Sequence, residues 1–200
     1  MRTKSEDKRK AIIDAALQLL KESASYEVSM SEIAARVGGS KATLYNYFSS
    51  KQEVFVELVK QSVQPELTTI QSILSENENL KTVLQNFGEH YLHQRCSPDT
   101  IAINRMLIAE SARSDVGILF FEEGQRKILG MLSVLFEKEI NAQNLKNMDT
   151  KVVVSHFIAL IESELVEKCL FGFIEDPSDE QIKLCVERAV SVFLDSYLSN

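Results

Sequence analysis

The sequence is poor in the residues that build turns and sheets. Its 200 residues include only three prolines, seven glycines and no tryptophan, and this scarcity favours helices over a turn-rich sheet protein. Charged residues interrupt the apolar stretches around Val152 and Phe193, well short of the about 20 residues that a membrane span needs. The first ten residues, MRTKSEDKRK, lack the apolar region of a signal peptide. We therefore expect a soluble, cytoplasmic, all-α protein.

Cysteines and catalytic signatures are also scarce. Cys96, Cys169 and Cys185 are few, odd in number and without paired spacing, which suits a reducing cytosol. The chain has no glycine-rich phosphate loop, no HExxH, no CxxC and no serine in a nucleophile-elbow pattern. We therefore expect no catalytic residue, no cofactor and no enzymatic activity.

One small cluster leaves an alternative open. His90, His93 and Cys96 are spaced by three residues, so on a helix they share a broad face, and imidazole with thiolate suits zinc or copper. Solvent-facing or pocket-lining histidines are the favoured interpretation, and no metal site is predicted. Cys96 as a redox sensor is a second alternative, although only Arg95 nearby would lower its pKa.

Apolar residues recur with helical periodicity along the whole chain. Ser29 with Glu32 forms a potential capping box, and Gly38 and Gly39 are expected to stop the helix that follows it. Pro65 is expected to kink or restart the helix that begins at Lys51. The predicted helices cover about 6–22, 29–37, 40–47, 51–74, 80–95, 99–112, 115–140, 150–171 and 178–198.

The helices on either side of Gly38 form a predicted helix-turn-helix, whose second, recognition helix covers about 40–47. Leu44 and Phe48 lie four residues apart on one side of it and can close over the apolar face of the first helix. The opposite side is narrow, small and polar, as a DNA major groove requires. The residues predicted to contact DNA are Ser31, Ser40, Lys41, Ala42, Thr43, Tyr45, Asn46, Tyr47 and Lys51.

Within this set, Tyr45, Tyr47 and Lys51 are expected to contact phosphates rather than bases. The two tyrosines are equally compatible with a role as half-buried supports, because tyrosine has an apolar body and a polar tip. A cation at Lys51 would lie beside the N-terminal backbone N–H groups of the next helix, where a phosphate can bind.

This block strongly resembles the DNA-binding domain of the TetR family of transcriptional repressors. The resemblance is carried by SMSEIAARVGGSKATLYNYFSSKQEVF, preceded by the helix KRKAIIDAALQLLKESA. It implies a helix-turn-helix DNA-binding domain in residues 1–51 and a helical effector-binding and dimerisation domain in residues 52–200. Gly39 departs from the family, which commonly has an apolar residue at this position.

The charge of the chain is unevenly distributed. Residues 1–60 contain ten Lys or Arg against eight Asp or Glu, a net charge of +2, whereas residues 61–200 contain twelve against 21, a net charge of −9. DNA repels an acidic body, so binding requires a locally basic end and is weakened by salt. The cations at this end are Arg2, Lys4, Lys8, Arg9 and Lys10. The resemblance suggests that some of them form a flexible arm along the groove or the backbone of DNA, and a solvated, disordered N-terminus is an equally open interpretation for Arg2 and Lys4.

The middle of the chain mixes large apolar residues with a few polar ones, which is compatible with a ligand pocket between helices. An ordinary core with solvated rims explains the same mixture. The resemblance favours the pocket, because this region binds effectors in the family. The residues predicted to contact the ligand are Phe87, His90, Tyr91, Arg105, Met106, Glu110, Phe120 and Phe121.

The last two predicted helices, about 150–171 and 178–198, are apolar over more than one face, which indicates burial on two sides. The resemblance implies a homodimer built from these helices as a four-helix bundle. We expect a repressor that binds a palindromic operator and that a small molecule releases, with the helix through Pro65 as the lever. The alternative is a helical small-molecule binder that no longer binds an operator.

Overall fold

The computed structural model describes residues 2–23 and 28–199, with side chains from residue 6 onward. All regular elements in these ranges are helices, as predicted. None of them is both long and apolar enough to cross a bilayer. They are α1 (Arg2–Glu22), α2 (Met30–Arg36), α3 (Lys41–Tyr45), α4 (Lys51–Leu74), α5 (Leu80–Cys96), α6 (Pro98–Glu110), α7 (Val116–Phe120), a π-helical turn (Phe121–Gln125), α8 (Arg126–Asn141), α9 (Thr150–Glu162), α10 (Val166–Leu170) and α11 (Asp179–Tyr197).

Three predicted helices differ from the structure. The helix expected over 115–140 contains the π-helical turn between α7 and α8. The single helix expected over 150–171 is wrong, because residues 163–165 separate α9 from α10. There the Ser163 hydroxyl donates to the Leu160 carbonyl at 2.8 Å, a local bond that competes with the helical pattern. The restart expected at Pro65 is also absent, since α4 runs through this residue.

The helices form two compact units. The first comprises residues 1–64 and 98–123, and the second comprises residues 65–97 and 124–200. Residues 51–64 of α4 therefore belong to the first unit and the remainder of α4 to the second. The functional division expected between residues 51 and 52 remains a prediction, because compactness does not identify which residues bind DNA or an effector.

The core of the first unit is centred on α1, which packs against α2 and α6. The predicted apolar stripe of α1 is buried, since Ile12, Ala16 and Leu20 have no exposed surface. Ile33 of α2 and Phe55 of α4 are equally buried. Burying a large aliphatic or aromatic side chain stabilises a fold by about 1.5 to 3 kcal/mol. This core therefore supports the short helices α2 and α3.

A group of aromatic side chains fills the second unit. The Phe157 ring of α9 lies 5.9 Å from Phe87 of α5, 5.7 Å from Phe136 of α8 and 5.0 Å from Phe193 of α11, measured between centroids. Phe193 in turn stacks on Tyr197 at 4.8 Å. Aromatic pairs at these distances add about 0.5 to 1.5 kcal/mol beyond their area burial. The last two long helices are therefore joined to α5 and α8 through one core.

The approach of α5 to α9 and α11 depends on Gly88. A Cβ atom at this position would lie 2.7 Å from Val186 Cγ1 and 3.0 Å from Ile161 Cδ1. Both distances are shorter than ordinary van der Waals contact, so a larger residue would require the Val186 and Ile161 side chains, or the helices that carry them, to shift. Gly88 thus sets the packing distance between α5 and the helices that carry Ile161 and Val186.

Two glycines were predicted to stop α2, but only one of them adopts the left-handed conformation that favours glycine. Gly38 has φ +69°, in the left-handed region, whereas Gly39 does not have a positive φ. The Gly38 N–H donates to the Ala35 carbonyl at 3.2 Å and the Gly39 N–H to the Ala34 carbonyl at 3.0 Å. This is a Schellman motif, which ends α2 by satisfying its last carbonyls.

Alanine substitutions should separate the two glycines. We expect Gly38→Ala to lower the free energy of unfolding by about 1 kcal/mol, because a Cβ is disfavoured in the left-handed region. That corresponds to a melting temperature lower by about 2 to 4 °C. Gly39→Ala should be neutral or stabilising by up to about 1 kcal/mol, since its Cβ would meet Thr43 Cβ at an ordinary 3.9 Å. Thermal denaturation followed by circular dichroism measures both, and equal losses would contradict the assignment.

Candidate DNA-binding site

A capping box starts the first helix of the helix-turn-helix. The Ser29 hydroxyl accepts from the Glu32 N–H at 3.2 Å, and the Glu32 carboxylate accepts from the Ser29 N–H at 2.8 Å. Hydrogen bonding to Ser29 holds the pKa of the Glu32 carboxyl below its ordinary value. The predicted capping box is confirmed, and Glu32 serves α2 itself. Ser31, the predicted DNA contact on this helix, is exposed.

The second helix, α3, is held by buried residues on its inner side and is capped at its N-terminus. Leu44 and Phe48 are 3% and 1% exposed, so they fix the helix to the unit core as predicted. The Ser40 hydroxyl accepts from the Thr43 N–H at 3.0 Å and lies 2.9 Å from the Thr43 hydroxyl. A five-residue helix is unstable alone, so these contacts hold it in place.

The outer side of α3 presents small and polar groups to solvent. Lys41 lies with its ammonium 6.0 Å from the centre of the Tyr45 ring, and the Tyr45 side chain is largely exposed. Tyr47 is half-buried, which makes it partly a support of the turn that follows. We name the exposed set the α3 strip, and it consists of Ser40, Lys41, Ala42, Thr43, Tyr45 and Asn46.

Two adjacent cations of α1 donate hydrogen bonds to backbone carbonyls at the C-terminal ends of α2 and α3. The Lys8 ammonium donates to the Val37 carbonyl at 3.1 Å, at the C-cap of α2. The Arg9 guanidinium donates to the Tyr47 carbonyl at 3.1 Å, two residues after α3 ends. Cations are favoured at these ends because helix carbonyls carry partial negative charge. Both side chains therefore serve the scaffold of the helix-turn-helix.

Arg9 makes further contacts that lock it in this position. Its guanidinium carbon lies 4.3 Å from the centre of the Phe48 ring, within the range of a cation–π interaction. Its second terminal nitrogen lies 3.4 Å from the Glu57 carboxylate of α4. Arg9 thus joins α1, the end of the recognition helix and α4.

These contacts revise the predicted basic arm. Lys8 and Arg9 are bound to carbonyls of their own unit, whereas Lys10 is exposed. The side chains of Arg2 and Lys4 lie outside the part of the chain that the structure describes. The carbonyl contacts were not predictable from local sequence patterns, because Lys8 and Arg9 lie 29 and 38 residues from their partners.

Lys51, a predicted phosphate contact, has a carboxylate partner in the same unit. Its ammonium lies 2.7 Å from Glu110 at the end of α6, and the side chains are 25% and 5% exposed. The Lys51 ammonium also lies 5.4 Å from the centre of the Phe55 ring. A buried carboxylate loses hydration and needs a cation or hydrogen bonds in return. Lys51 therefore supplies the charge partner of Glu110, a residue that the sequence placed in the ligand site.

The start of α4 has its own hydrogen-bond partners. The Glu53 carboxylate accepts from the Ser49 N–H at 2.6 Å and the Ser49 hydroxyl at 2.8 Å, and the Ser50 hydroxyl accepts from the Glu53 N–H at 3.2 Å. The backbone N–H of Ser49 holds the pKa of the Glu53 carboxyl below its ordinary value. Two backbone N–H groups at this end, those of Ser49 and Glu53, are thus already bonded to side chains, and an acidic side chain lies beside the predicted phosphate contact.

Three of the predicted ligand contacts belong to the second unit. Phe87 and Tyr91 are buried and stack at 5.4 Å. The Tyr91 hydroxyl donates to the Glu162 carboxylate at 2.8 Å, and burial is the main cause that raises the pKa of Tyr91. His90 pairs with Glu66 at 2.8 Å. Their contact with a ligand remains a prediction.

The other predicted ligand contacts belong to the first unit. Met106 has no exposed surface and Glu110 is 4% exposed, so both lie in its interior. Arg105 and Phe120 are half-buried, and Phe121 is exposed. Periodicity did not distinguish these environments, because the helices that carry these residues mix polar and apolar side chains on several faces.

The histidines and the cysteine of the predicted α5 cluster do not share a common site. His90 faces Glu66, and His93 Nε2 lies 3.8 Å from Asp179. Cys96 is buried. Among the described residues no three or more His, Cys, Asp or Glu side chains form a group suited to a metal ion.

Two family models match the chain and together cover most of it. Residues 12–58 match the family described as "Bacterial regulatory proteins, tetR family". Residues 82–199 match the family described as "AefR-like transcriptional repressor, C-terminal domain". The first match contains the helix-turn-helix with the α3 strip, and the second contains the whole of α6 to α11 and most of α5.

Individual relatives match over nearly the full length. A nicotine-responsive transcriptional repressor, HdnoR, from Paenarthrobacter nicotinovorans is 18% identical over 200 residues, 98% of either chain. A crystal structure of a TetR-family regulator from Mesorhizobium loti has a TM-score of 0.84 at 24% identity and covers 97% of this chain and 98% of its own. The flavonoid-responsive regulator FrrA has a TM-score of 0.72 at 29% identity and covers 96% and 98%.

Substitution of Arg9 tests its assignment to the scaffold. We expect Arg9→Ala to lower the free energy of unfolding by about 1 to 2 kcal/mol, because a charged hydrogen bond and a cation–π contact are lost. Lys10→Ala removes the same charge from an exposed site and should change it by less than about 0.5 kcal/mol. Chemical denaturation measures both. An Arg9→Ala protein of unchanged stability, with a shallower salt dependence of DNA binding, would identify Arg9 as a phosphate contact instead.

Proposed function

The chain belongs to the TetR family of bacterial regulatory proteins, and we propose that it is a homodimeric repressor of a palindromic operator that a small molecule releases from DNA. DNA binding and regulation of transcription are the functions of this family, which is regulatory rather than enzymatic. The proposal adds the residues that contact DNA, the way the subunits pair and the kind of effector. It also places the protein in the cytoplasm.

The α3 strip is the observation that carries this proposal. Four of its six side chains, those of Ser40, Ala42, Thr43 and Asn46, are short enough to let the helix approach base edges. Lys41, Thr43 and Asn46 supply donors and acceptors. Leu44 and Phe48 fix the opposite side of the helix. An exposed strip of this kind on a rigidly held helix suits the major groove. We propose that Tyr45 and Tyr47 contact phosphates and so position the helix, and that the exposed Ser31 on α2 also contacts DNA.

Phosphate binding by Lys51 requires an exchange of partners. Its ammonium pairs with Glu110 at 2.7 Å, so a phosphate must share it or replace that carboxylate. Glu110 is nearly fully buried on α6. If α6 shifts and the Lys51–Glu110 ion pair stays intact, Lys51 must therefore move together with α6. We infer that the position of α6 controls how readily the Lys51 ammonium binds a phosphate. Lys51 is the first residue of α4, so we expect a displacement of Lys51 to be transmitted along this helix.

The relatives suggest an organic effector with a substantial apolar part. The named effectors of HdnoR and FrrA are nicotine and flavonoids, and a structure of FadR from Bacillus subtilis contains stearoyl-CoA. In this chain, the amide nitrogen of Asn104 on α6 is buried and has no hydrogen-bond partner in the described part of the structure. A carbonyl or ether oxygen of an effector would satisfy this donor. The predicted contacts that belong to the same unit as Asn104, which are Met106, Phe120 and Phe121, would supply apolar surface to it.

A partner subunit would cover the outward sides of α9 and α11. Val152 on α9 and Leu184 and Val192 on α11 are 39%, 45% and 50% exposed, while the inward residues of both helices are buried in the monomer. Pairing the same two helices from two copies gives a four-helix arrangement with twofold symmetry. That symmetry matches two half-sites of a palindrome.

The operator can be found by selecting genomic DNA fragments that the protein binds. We expect a palindromic sequence, salt-sensitive binding and loss of affinity when the true effector is added. Thr43→Ala should change the preferred bases, because we propose that this side chain faces the groove. Failure to enrich any duplex at low salt would contradict operator binding and favour a helical binder without a DNA site.

Lys51 and Glu110 can be tested on that operator. Lys51→Ala should weaken binding to all sequences similarly and reduce the salt slope by about 1 per subunit. Glu110→Gln should strengthen binding, since the amide competes less well than a carboxylate for the ammonium. Asp14→Asn, at an exposed position of α1, makes the same charge change away from Lys51. An equal gain in Asp14→Asn would contradict the exchange of partners.

The dimer can be tested by placing a charge on the outward side of α11. Val192→Asp should shift the dimer toward monomer by at least tenfold in dissociation constant, because an unpaired carboxylate would be buried between the subunits. Val134→Asp, on α8 and 68% exposed in the wild type, is the matched control and should remain dimeric. Analytical ultracentrifugation measures both variants. A dimer unaffected by Val192→Asp would place the interface elsewhere.

A further inference from the structure

Two phenylalanine side chains are exposed to solvent on the turn that follows α10. Phe171 and Phe173 are 80% and 83% exposed, more than any other large apolar side chain in the described part of the chain. Single apolar side chains are common on protein surfaces, but two rings this exposed and only two residues apart form a patch. We name residues 171–173 the phenylalanine turn.

Hydrogen bonds fix the backbone of the phenylalanine turn. Gly172, between the two rings, has φ +75°, in the left-handed region. The Phe173 N–H donates to the Lys168 carbonyl at 2.8 Å, and the Gly172 N–H donates to the Cys169 carbonyl at 3.1 Å. This is a second Schellman motif, and it ends α10. Because the backbone is already ordered, a partner that binds the rings does not have to order a loop.

The phenylalanine turn follows closely on a residue that is bonded to the outward side of α11. Arg188 lies four residues from both Leu184 and Val192, so the three share one side of α11. Its guanidinium bonds to the Glu164 carboxylate at 2.9 and 2.7 Å. Phe171 follows Glu164 by seven residues, which is about 10 Å of helical rise. The turn therefore lies near the apolar surface proposed for dimerisation.

The charges around the phenylalanine turn disfavour DNA and anionic membranes as its partner. Glu167, Glu175 and Asp176 are exposed within four residues of the turn, together with Lys168. The phosphates of DNA and of anionic lipids are repelled by a surface on which carboxylates outnumber cations. These observations favour a protein surface as the partner.

The exposed area of the two rings suits a dimer contact. Val152, Leu184 and Val192 are at most half exposed, so the outward sides of α9 and α11 offer limited apolar surface. Two phenylalanines that are four-fifths exposed add roughly 240 to 400 Å² per copy. That is roughly a third to a half of the about 800 Å² that each partner contributes to a stable interface.

We propose that the phenylalanine turn packs against a second copy of the chain and extends the dimer contact of α9 and α11. This inference rests on the proposed homodimer and adds to it two residues outside the four-helix arrangement. In a twofold interface each copy supplies the same two rings, so each substitution acts twice. Aromatic side chains that become buried at an interface are often the residues that stabilise it most.

A fluorescent reporter at the phenylalanine turn tests the contact in the full-length protein. The chain contains no tryptophan, so Phe173→Trp introduces a single indole. We expect its emission to shift to longer wavelength on dilution, with a midpoint at the dimer dissociation constant that analytical ultracentrifugation gives for the same variant. Val134→Trp, on α8 and 68% exposed in the wild type, is the control and should emit at the same wavelength at every concentration.

Removal of both rings tests their contribution to the dimer. The double variant Phe171→Ser and Phe173→Ser should raise the dimer dissociation constant at least tenfold, because apolar area is lost from both copies. Ile118→Ser, 65% exposed in the first unit, should leave it unchanged. Circular dichroism should show the same helical spectrum for both proteins, because the substituted side chains are exposed in the subunit.

The outcomes separate this contact from the dimer itself. If the Phe173→Trp protein is a dimer whose emission does not change on dilution, or if the double serine variant dimerises as tightly as the wild type, the contact is wrong and the dimer is unaffected. A wild-type protein that sediments as a monomer at every concentration would overturn both. A shift to shorter wavelength that requires phosphatidylglycerol vesicles, rather than a higher protein concentration, would overturn the contact in favour of a membrane surface.

Discussion

The packing of the helix-turn-helix against α1 is the interaction on which the proposed function depends. The recognition helix has only five residues, too few to be stable alone. Leu44 and Phe48 hold its inner side, and Arg9 binds the Tyr47 carbonyl beyond its end. The α3 strip can face solvent with a fixed geometry because the opposite side and both ends are held by the unit.

Charge in this protein is organised locally. The chain carries a net charge of −7, yet the unit with the recognition helix places cations at particular carbonyls and carboxylates. Lys8 and Arg9 stabilise helix ends, and Lys51 neutralises the buried Glu110. Lys41 on α3 and Lys10 on α1 are exposed. For the proposed function, we therefore expect operator affinity to depend on positioning a small number of phosphate contacts rather than on a broad basic surface.

Features governed by neighbouring residues were predictable from the sequence. The capping box at Ser29, the stop at Gly38 and the buried face of α3 follow from rules that act over a few residues. The contacts of Lys8, Arg9 and Lys51 were not predictable, since their partners are 29 to 59 residues distant. The break between α9 and α10 was missed because apolar periodicity continues across it. The predicted DNA and ligand contacts remain predictions.

Hydroxyl-radical footprinting on the selected operator tests most directly whether a pair of α3 helices binds DNA. If two subunits each place α3 in a major groove, the wild-type protein protects two segments on one face of the duplex. Their centres should lie about 10 base pairs apart or at a multiple of that spacing. The true effector should abolish both together. A single protected segment, or protection that is unchanged by Thr43→Ala and Lys51→Ala, would contradict paired binding through α3.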